Sequence, residues 1–154
     1  MNGAMDEILA AEKRLRAADH MFTMTYSFVN DSKLLLVVLE NLFFSLNHSI
    51  TAVLINEKEA KNILSFGDSF ESRFGLFKLN LARRFKFTSA DIGFIHDIKQ
   101  IIRQHKDSPI EFARGSKLVI CSNDYDIYAL TPERIKDYLT KTKSFVQKIK
   151  TVVD

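Results

Sequence analysis

The strongest pattern in the chain lies at residues 33–56. Leu34, Leu35, Leu36, Val37, Val38 and Leu39 lead into Leu42, Phe43, Phe44, Leu46, Ile50, Val53, Leu54 and Ile55. Wound into a helix, these positions place apolar side chains on nearly every side, so the helix must be covered from several directions. It is predicted to be the centre of a bundle or the seam of an oligomer. Its few polar positions stand out for that reason: Glu40, Asn47 and Thr51 fall roughly on one strip, with Asn41, Ser45 and His48 beside it.

The surrounding segments are amphipathic. Ile8, Leu15, Ala18, Phe22 and Tyr26 recur at three- and four-residue spacing and predict a helix over 5–28, closed by Asn30-Asp31-Ser32. Asp31 or Ser32 can cap the central helix. Residues 57–67 read as a charged turn or short helix ending at Gly67. Asp68 or Ser69 then caps a third helix over 69–84, with Phe70, Phe74, Phe77 and Leu81 on one face and Gly75 weakening it modestly. Thr88-Ser89 opens a fourth helix, 89–106, with Phe94, Ile98, Ile101 and His105 in one stripe. Ser108-Pro109 ends it, because a residue before proline avoids the helical region.

Two short β-branched and aromatic runs follow, Lys117 to Cys121 and Asp126 to Leu130, with turn chemistry between them at Ser122-Asn123-Asp124-Tyr125. They predict a hairpin over 117–130 that leans on the helices, since a lone hairpin is marginal in water. Thr131-Pro132-Glu133 starts the last helix, 132–152: Thr caps, Pro fills a position whose missing N–H costs nothing, and Glu suits the positive helix end. Its core stripe is Ile135, Tyr138, Leu139, Thr142, Phe145, Val146, Ile149 and Val152. The expected fold is mainly all-α, an antiparallel bundle of about five helices with a small β-hairpin before the last, in one domain spanning 1–154.

Composition refines this picture. Thirteen Phe and no Trp make phenylalanine the main source of core volume. The single cysteine, Cys121, excludes an intrachain disulfide and favours a reducing, cytoplasmic setting. Asp6, Glu7 and Glu12 interrupt the segment where a signal peptide would need its apolar core. The run from Leu34 to Ile55 is long enough for a membrane span, but Glu40, Asn41, Asn47 and His48 are costly in hydrocarbon, so no membrane is expected. Charge is divided unevenly. Residues 1–77 hold seven Lys/Arg against ten Asp/Glu, and residues 78–154 fifteen against nine. The basic second half could face RNA, DNA or an acidic protein.

Catalytic and metal motifs are missing from the pattern. His20, His48, His96 and His105 include no pair at helical ligand spacing, and there is no second cysteine, so neither metal nor cofactor is expected. Five scattered glycines build no phosphate loop, and no Gly-x-Ser-x-Gly elbow occurs. The Asn123-Asp124-Tyr125-Asp126 cluster lacks the glycine and distal glutamate of a calcium loop. Three candidate sets remain. Glu40, Asn47 and His48 could form a polar pocket inside the bundle, or serve as satisfied core groups. Arg83, Arg84 and Lys86, interleaved with Phe85 and Phe87, have the charge-plus-aromatic character of a single-stranded nucleic-acid surface. The same residues also suit a helix end complementing its dipole. His105 on its apolar stripe reads most simply as packed or capping.

The run Glu40-Asn41-Leu42-Phe43-Phe44-Ser45-Leu46-Asn47-His48-Ser49-Ile50-Thr51-Ala52-Val53-Leu54 resembles the second helix of HEPN-type helical proteins, with adjacent aromatics at Phe43-Phe44 and small residues at Ser45, Ser49 and Ala52. The whole chain also resembles small archaeal helical-bundle proteins. The HEPN resemblance implies dimerisation, and either ribonuclease activity, association with a nucleotidyltransferase or nucleotide binding. The ribonuclease branch uses an Arg followed four to six residues later by His, late in the bundle. Here Arg103-Gln104-His105 has the residues and region at shorter spacing, while Arg14 to His20 has the spacing in the first helix. The leading expectation is a non-catalytic, homodimeric helical binding module for RNA or a protein. The alternatives are a HEPN-type ribonuclease using Arg103 and His105, or a small-ligand bundle with Glu40, Asn47 and His48 in its pocket. The dimer is expected to bury a residual apolar strip of the second helix.

Overall fold

The computed structural model describes residues 3–154 except Pro109, Asn123 and Tyr125. Four long helices, one short one and a small sheet follow one another among the described residues: α1 (Gly3–His20), α2 (Leu34–Glu59), the short α3 (Phe70–Leu76), α4 (Ser89–Asp107), β1 (Ile110–Arg114), β2 (Lys117–Cys121), β3 (Ile127–Leu130) and α5 (Pro132–Val153). The fold is mainly α, as the periodicity predicts, with the β element before the last helix.

α1 does not stop at His20. It widens into a π-helical stretch, Met21–Tyr26, and closes with Ser27–Val29 and Asn30 in the left-handed region at φ 57°. Asparagine tolerates that conformation better than most residues. Asp31 begins the next helix by accepting from Lys33 N–H at 3.0 Å, whereas the hydroxyl of buried Ser32 has no partner among the described residues.

α2 is the central element. It packs along α1 over most of its length and also against α5, α4 and α3. It is long and apolar enough to cross a membrane by composition, yet most of its apolar window is buried inside the fold. Small residues let α1 approach it closely. Ala4, Ala11 and Ala18 of α1 and Ser45, Ser49 and Ala52 of α2 are all fully buried, and the Ser45 hydroxyl donates to the Ala11 carbonyl at 2.8 Å. Of the α2 apolar residues, Val37 and Phe44 remain exposed, separated by Asn41, and Arg14 lies over the Phe44 ring at 4.8 Å.

α3 is shorter than its sequence suggests. Ser69 caps it by accepting from Ser72 N–H, and after Leu76 it loosens into a π-helical stretch, Phe77–Leu81, and then turns. Lys86, at φ 63°, closes that turn, with Phe87 N–H bonded to the Ala82 carbonyl at 2.8 Å. Thr88 and Asp91 form a reciprocal capping box at the start of α4. Ser108 leaves the helix in an extended conformation, as a residue before proline should; Pro109 itself lies outside the described residues.

The expected hairpin is present as β2–β3 but belongs to a three-stranded antiparallel sheet in the order β1-β2-β3. The added strand, β1, joins β2 through Gly115-Ser116, with Gly115 at φ 61° in the first position of a two-residue turn. Of the turn between β2 and β3, Asn123 and Tyr125 lie outside the described residues. Leu118, Ile120 and Leu130 carry the inner face of the sheet into the core. Phenylalanine fills much of the remaining volume. Phe145 meets Phe87, Phe77 and Phe94 at ring separations of 5.1, 5.8 and 6.4 Å, and Phe43 meets Phe70 at 4.7 Å.

Candidate ligand-binding face

The polar set on α2 is dispersed by the fold. His48 Nδ1 lies 2.6 Å from Glu7 Oε2, so its partner comes from α1 and the pair clasps the two helices at a half-buried position. Asn47 Oδ1 is buried without a partner among the described residues. Glu40 is half-buried and makes no ion pair among them. None of the three clefts described below is lined by these residues.

Arg103 and His105 diverge. Two residues apart on a helix, they point to different faces. Arg103 reaches Glu71 of α3 at 3.7 Å, while His105 Nδ1 lies 2.5 Å from Glu111 of β1. Within one chain they share no cleft. The basic segment after α3 also divides its roles. Arg84 pairs at 2.7 Å with Glu57, a carboxylate that is only 1% exposed, and stacks on Phe85. Lys86 offers its backbone carbonyl to Lys148 Nζ at 2.7 Å. Arg83 stays exposed.

What the fold builds instead is a chain of three depressions around α4, which sequence reasoning did not find. The first, about 230 Å³, lies between α3 and α4 and is rimmed by Lys78, Lys99 and Arg103. The second, about 350 Å³, lies between α4, β3 and α5 and is lined by Asp97, Gln100, Gln104, Tyr128, Arg134, Tyr138 and Lys141. The third, about 260 Å³, continues along the α4–α5 groove over Phe87, Phe94 and Phe145, with Lys148 at its rim. Gln100 belongs to both the first and second, and Lys141 to both the second and third.

Each depression holds a cation on an aromatic ring. Lys78 lies 4.6 Å from the Phe74 centroid and Lys99 lies 5.7 Å from that of Phe70. Arg134 lies 5.0 Å from Tyr128 in the second, and Lys148 lies 4.3 Å from Phe87 in the third. Arg134 also donates to the Tyr128 hydroxyl, and this bond holds its guanidinium more firmly protonated. Burial pushes the Tyr138 phenol above its usual range, reinforced by its bond to Tyr128 at 3.5 Å. Arg134 donates to the Tyr128 hydroxyl, and in the contact between Tyr128 and Tyr138 either hydroxyl can be the donor.

The carboxylates of the face are mostly committed. Glu71 meets Lys99 and Arg103, and Asp137 meets Lys141 at 3.0 Å. Asp91 is held below the ordinary carboxyl range by the Thr88 backbone N–H, with Lys148 adding to the effect. The lining thus carries six Lys/Arg, of α4, α5 and the π-helical stretch, against four carboxylates. Among the described residues no group of His, Cys, Asp and Glu is arranged to hold a metal ion. No protein-family model matches the chain, and no curated protein matches it.

Proposed function

We propose that the protein is a non-catalytic helical binding module that takes single-stranded RNA along the α4 face. The carrying observation is the repeated unit in three linked depressions, a cation resting on an aromatic ring. Single-stranded nucleic acid is held by cations that follow its phosphates and by aromatic faces on which bases stack. The cations supply the first in all three depressions; half-buried Tyr128 supplies the ring face, which a base can share while the displaced guanidinium meets the neighbouring phosphate, whereas Phe74 and Phe87 are buried. Gln100 and Gln104, one turn apart beside Tyr128, add amide donors and acceptors of the kind that meet base edges. The α4 segment bordering the groove, residues 90–104, is about 21 Å long at 1.5 Å per residue, enough for several extended nucleotides. The basic second half of the chain fits the same reading.

Fluorescence anisotropy with a labelled single-stranded oligouridine tests this. Binding should appear at low salt and weaken with a log–log slope near −2, the value for about three phosphate contacts at ~0.7 each. Tyr128→Ala should weaken it by roughly 5- to 100-fold, the range for one lost stacking platform. Wild-type protein that binds no RNA at 50 mM salt would overturn the proposal.

A further inference from the structure

The sheet presents a second surface, on the side away from the core. In an antiparallel ladder, directly opposed residues share a face. Ile110, Cys121 and Ile127 therefore form one row and Phe112, Val119 and Ala129 the next, ending at the opposed pair Arg114 and Lys117. All six residues of the first two rows are apolar or weakly polar. Ile110 is 57%, Phe112 43% and Ile127 72% exposed, while Val119 on the central strand between them is buried; none of the six is part of the main core cluster. An antiparallel sheet with one solvated face normally shows polar residues there. The alternation in β1 is reversed: its charged Glu111 points inward to His105, and its isoleucine and phenylalanine point out.

The ends of this face carry opposite charge. The β1–β2 turn is flanked by Arg114 and Lys117, and the β2–β3 turn carries Asp124 and Asp126. All four are exposed, and none makes an ion pair among the described residues. We propose that this face is the interface for a second copy of the chain, packed sheet on sheet about a two-fold axis that crosses the strands. Charge selects that axis. A two-fold axis running along the strands would bring Arg114 and Lys117 onto their own counterparts. An axis across the strands reverses the partner and seats its acidic turn on this copy's basic turn, with the apolar rows between them. A surface with an apolar middle and ends of opposite sign is complementary to itself in that orientation. Sheets packed this way lie about 10 Å apart with strands inclined by roughly 30°. The interface leaves the α4 face free, because that face borders the inner side of the sheet at Tyr128.

The patch is about 10 Å by 17 Å from strand spacing and rise, small beside the ~800 Å² per partner of a standard interface. The expected association is correspondingly weak, with a Kd on the order of 100 μM.

Sedimentation equilibrium of the full chain up to about 1 mM, roughly tenfold above that Kd, reads the mass against the 17.7 kDa monomer. Circular dichroism checks that every variant is folded. Wild type should approach twice the monomer mass, and Ile127→Asp should stay monomeric. Arg114→Glu with Lys117→Glu should weaken the dimer about tenfold or more, near 1.4 kcal/mol. Adding Asp124→Lys and Asp126→Lys to that variant should restore it, because the charges then match again with signs exchanged. A wild type monomeric throughout would overturn the proposal and leave the face to a different partner. So would a dimer indifferent to these changes, which would place the seam elsewhere, such as Val37 and Phe44 of α2. A dimer weakened by Ile127→Asp but not restored by the charge exchange would point to edge pairing through β3, the strand that carries Ile127, and would also overturn it.

Discussion

Glu57 is the residue whose environment departs furthest from its chemistry. It sits at the end of α2, 1% exposed, and is held by Arg84 at 2.7 Å and by the Asn62 side-chain amide at 2.5 Å. A buried carboxylate that loses its cation is left uncompensated, a costlier state than never having had the pair. Arg84→Ala should therefore destabilise the protein by about 3 kcal/mol, the lower end for such pairs because the guanidinium is itself half exposed. Glu57→Gln in the same chain should recover much of the loss. Urea unfolding of the two variants checks both, and equal midpoints for wild type and Arg84→Ala would show that the pair contributes nothing. The sequence marked Arg83, Arg84 and Lys86 as one basic cluster. The fold separates them into an exposed cation with no ion pair among the described residues, a structural counter-ion and a turn residue. Linear proximity carried the charge but not the partner, since Glu57 lies 27 residues away from Arg84.

At the scale of elements, signals confined to a single turn were the most legible. Thr131 accepts from Arg134 N–H at 3.2 Å and Pro132 follows it, as the Thr-Pro-Glu string implies. Thr131→Ala should lower stability by about 1 kcal/mol, the usual value for a lost N-cap acceptor. The urea midpoint checks it; no shift would mean that α5 begins without that bond. The helix start at Thr88-Ser89 and a cap at Asp68 or Ser69 were visible for the same reason, while the reciprocal capping box of Thr88 with Asp91 came from the structure. β1 was not. Its five residues bury almost nothing, so their alternation has no core side from which to be read, although the Gly115-Ser116 turn was a local sign that another strand preceded Lys117. The π-helical stretches in 21–26 and 77–81 were equally hidden, because they share the apolar residues and approximate spacing of an ordinary helix.

Across the whole molecule, carboxylates on the α4 face tie elements together. Glu71 of α3, held low first by its backbone hydrogen bond and then by Lys99 and Arg103, joins α3 to α4. Asp91, held low first by Thr88 and further by Lys148, anchors the start of α4 beside α5. Both pKa values fall on folding, so both groups add stability that is fully present above their ordinary values of 4.5 and 3.8. That contribution is lost as pH falls through the lowered folded values. The urea midpoint should accordingly drop on acidification below about pH 4.5, and Glu71→Gln with Asp91→Asn should make the drop shallower. An acid limb of unchanged slope in that double variant would assign the acid sensitivity to other groups. The same pairs place the face at the meeting of three helices, so the proposed RNA binding and α3–α4–α5 packing draw on the same cations.

The sequence by itself determined the order of the helices, the cap at Thr131 and the central position of α2. Each follows from periodicity or hydrogen bonding within a few residues, where backbone geometry fixes which side chains are neighbours. It also determined that phenylalanine fills the core. Only the tertiary structure decided which polar groups meet. It gave His48 to Glu7, set Arg103 apart from His105, and assembled Lys78, Arg134 and Lys148 into one face from separate parts of the chain. The physical reason is range. Hydrophobic burial is non-directional and leaves its period in the sequence, whereas a cation on a ring or a paired carboxylate depends on contacts between elements far apart along the chain.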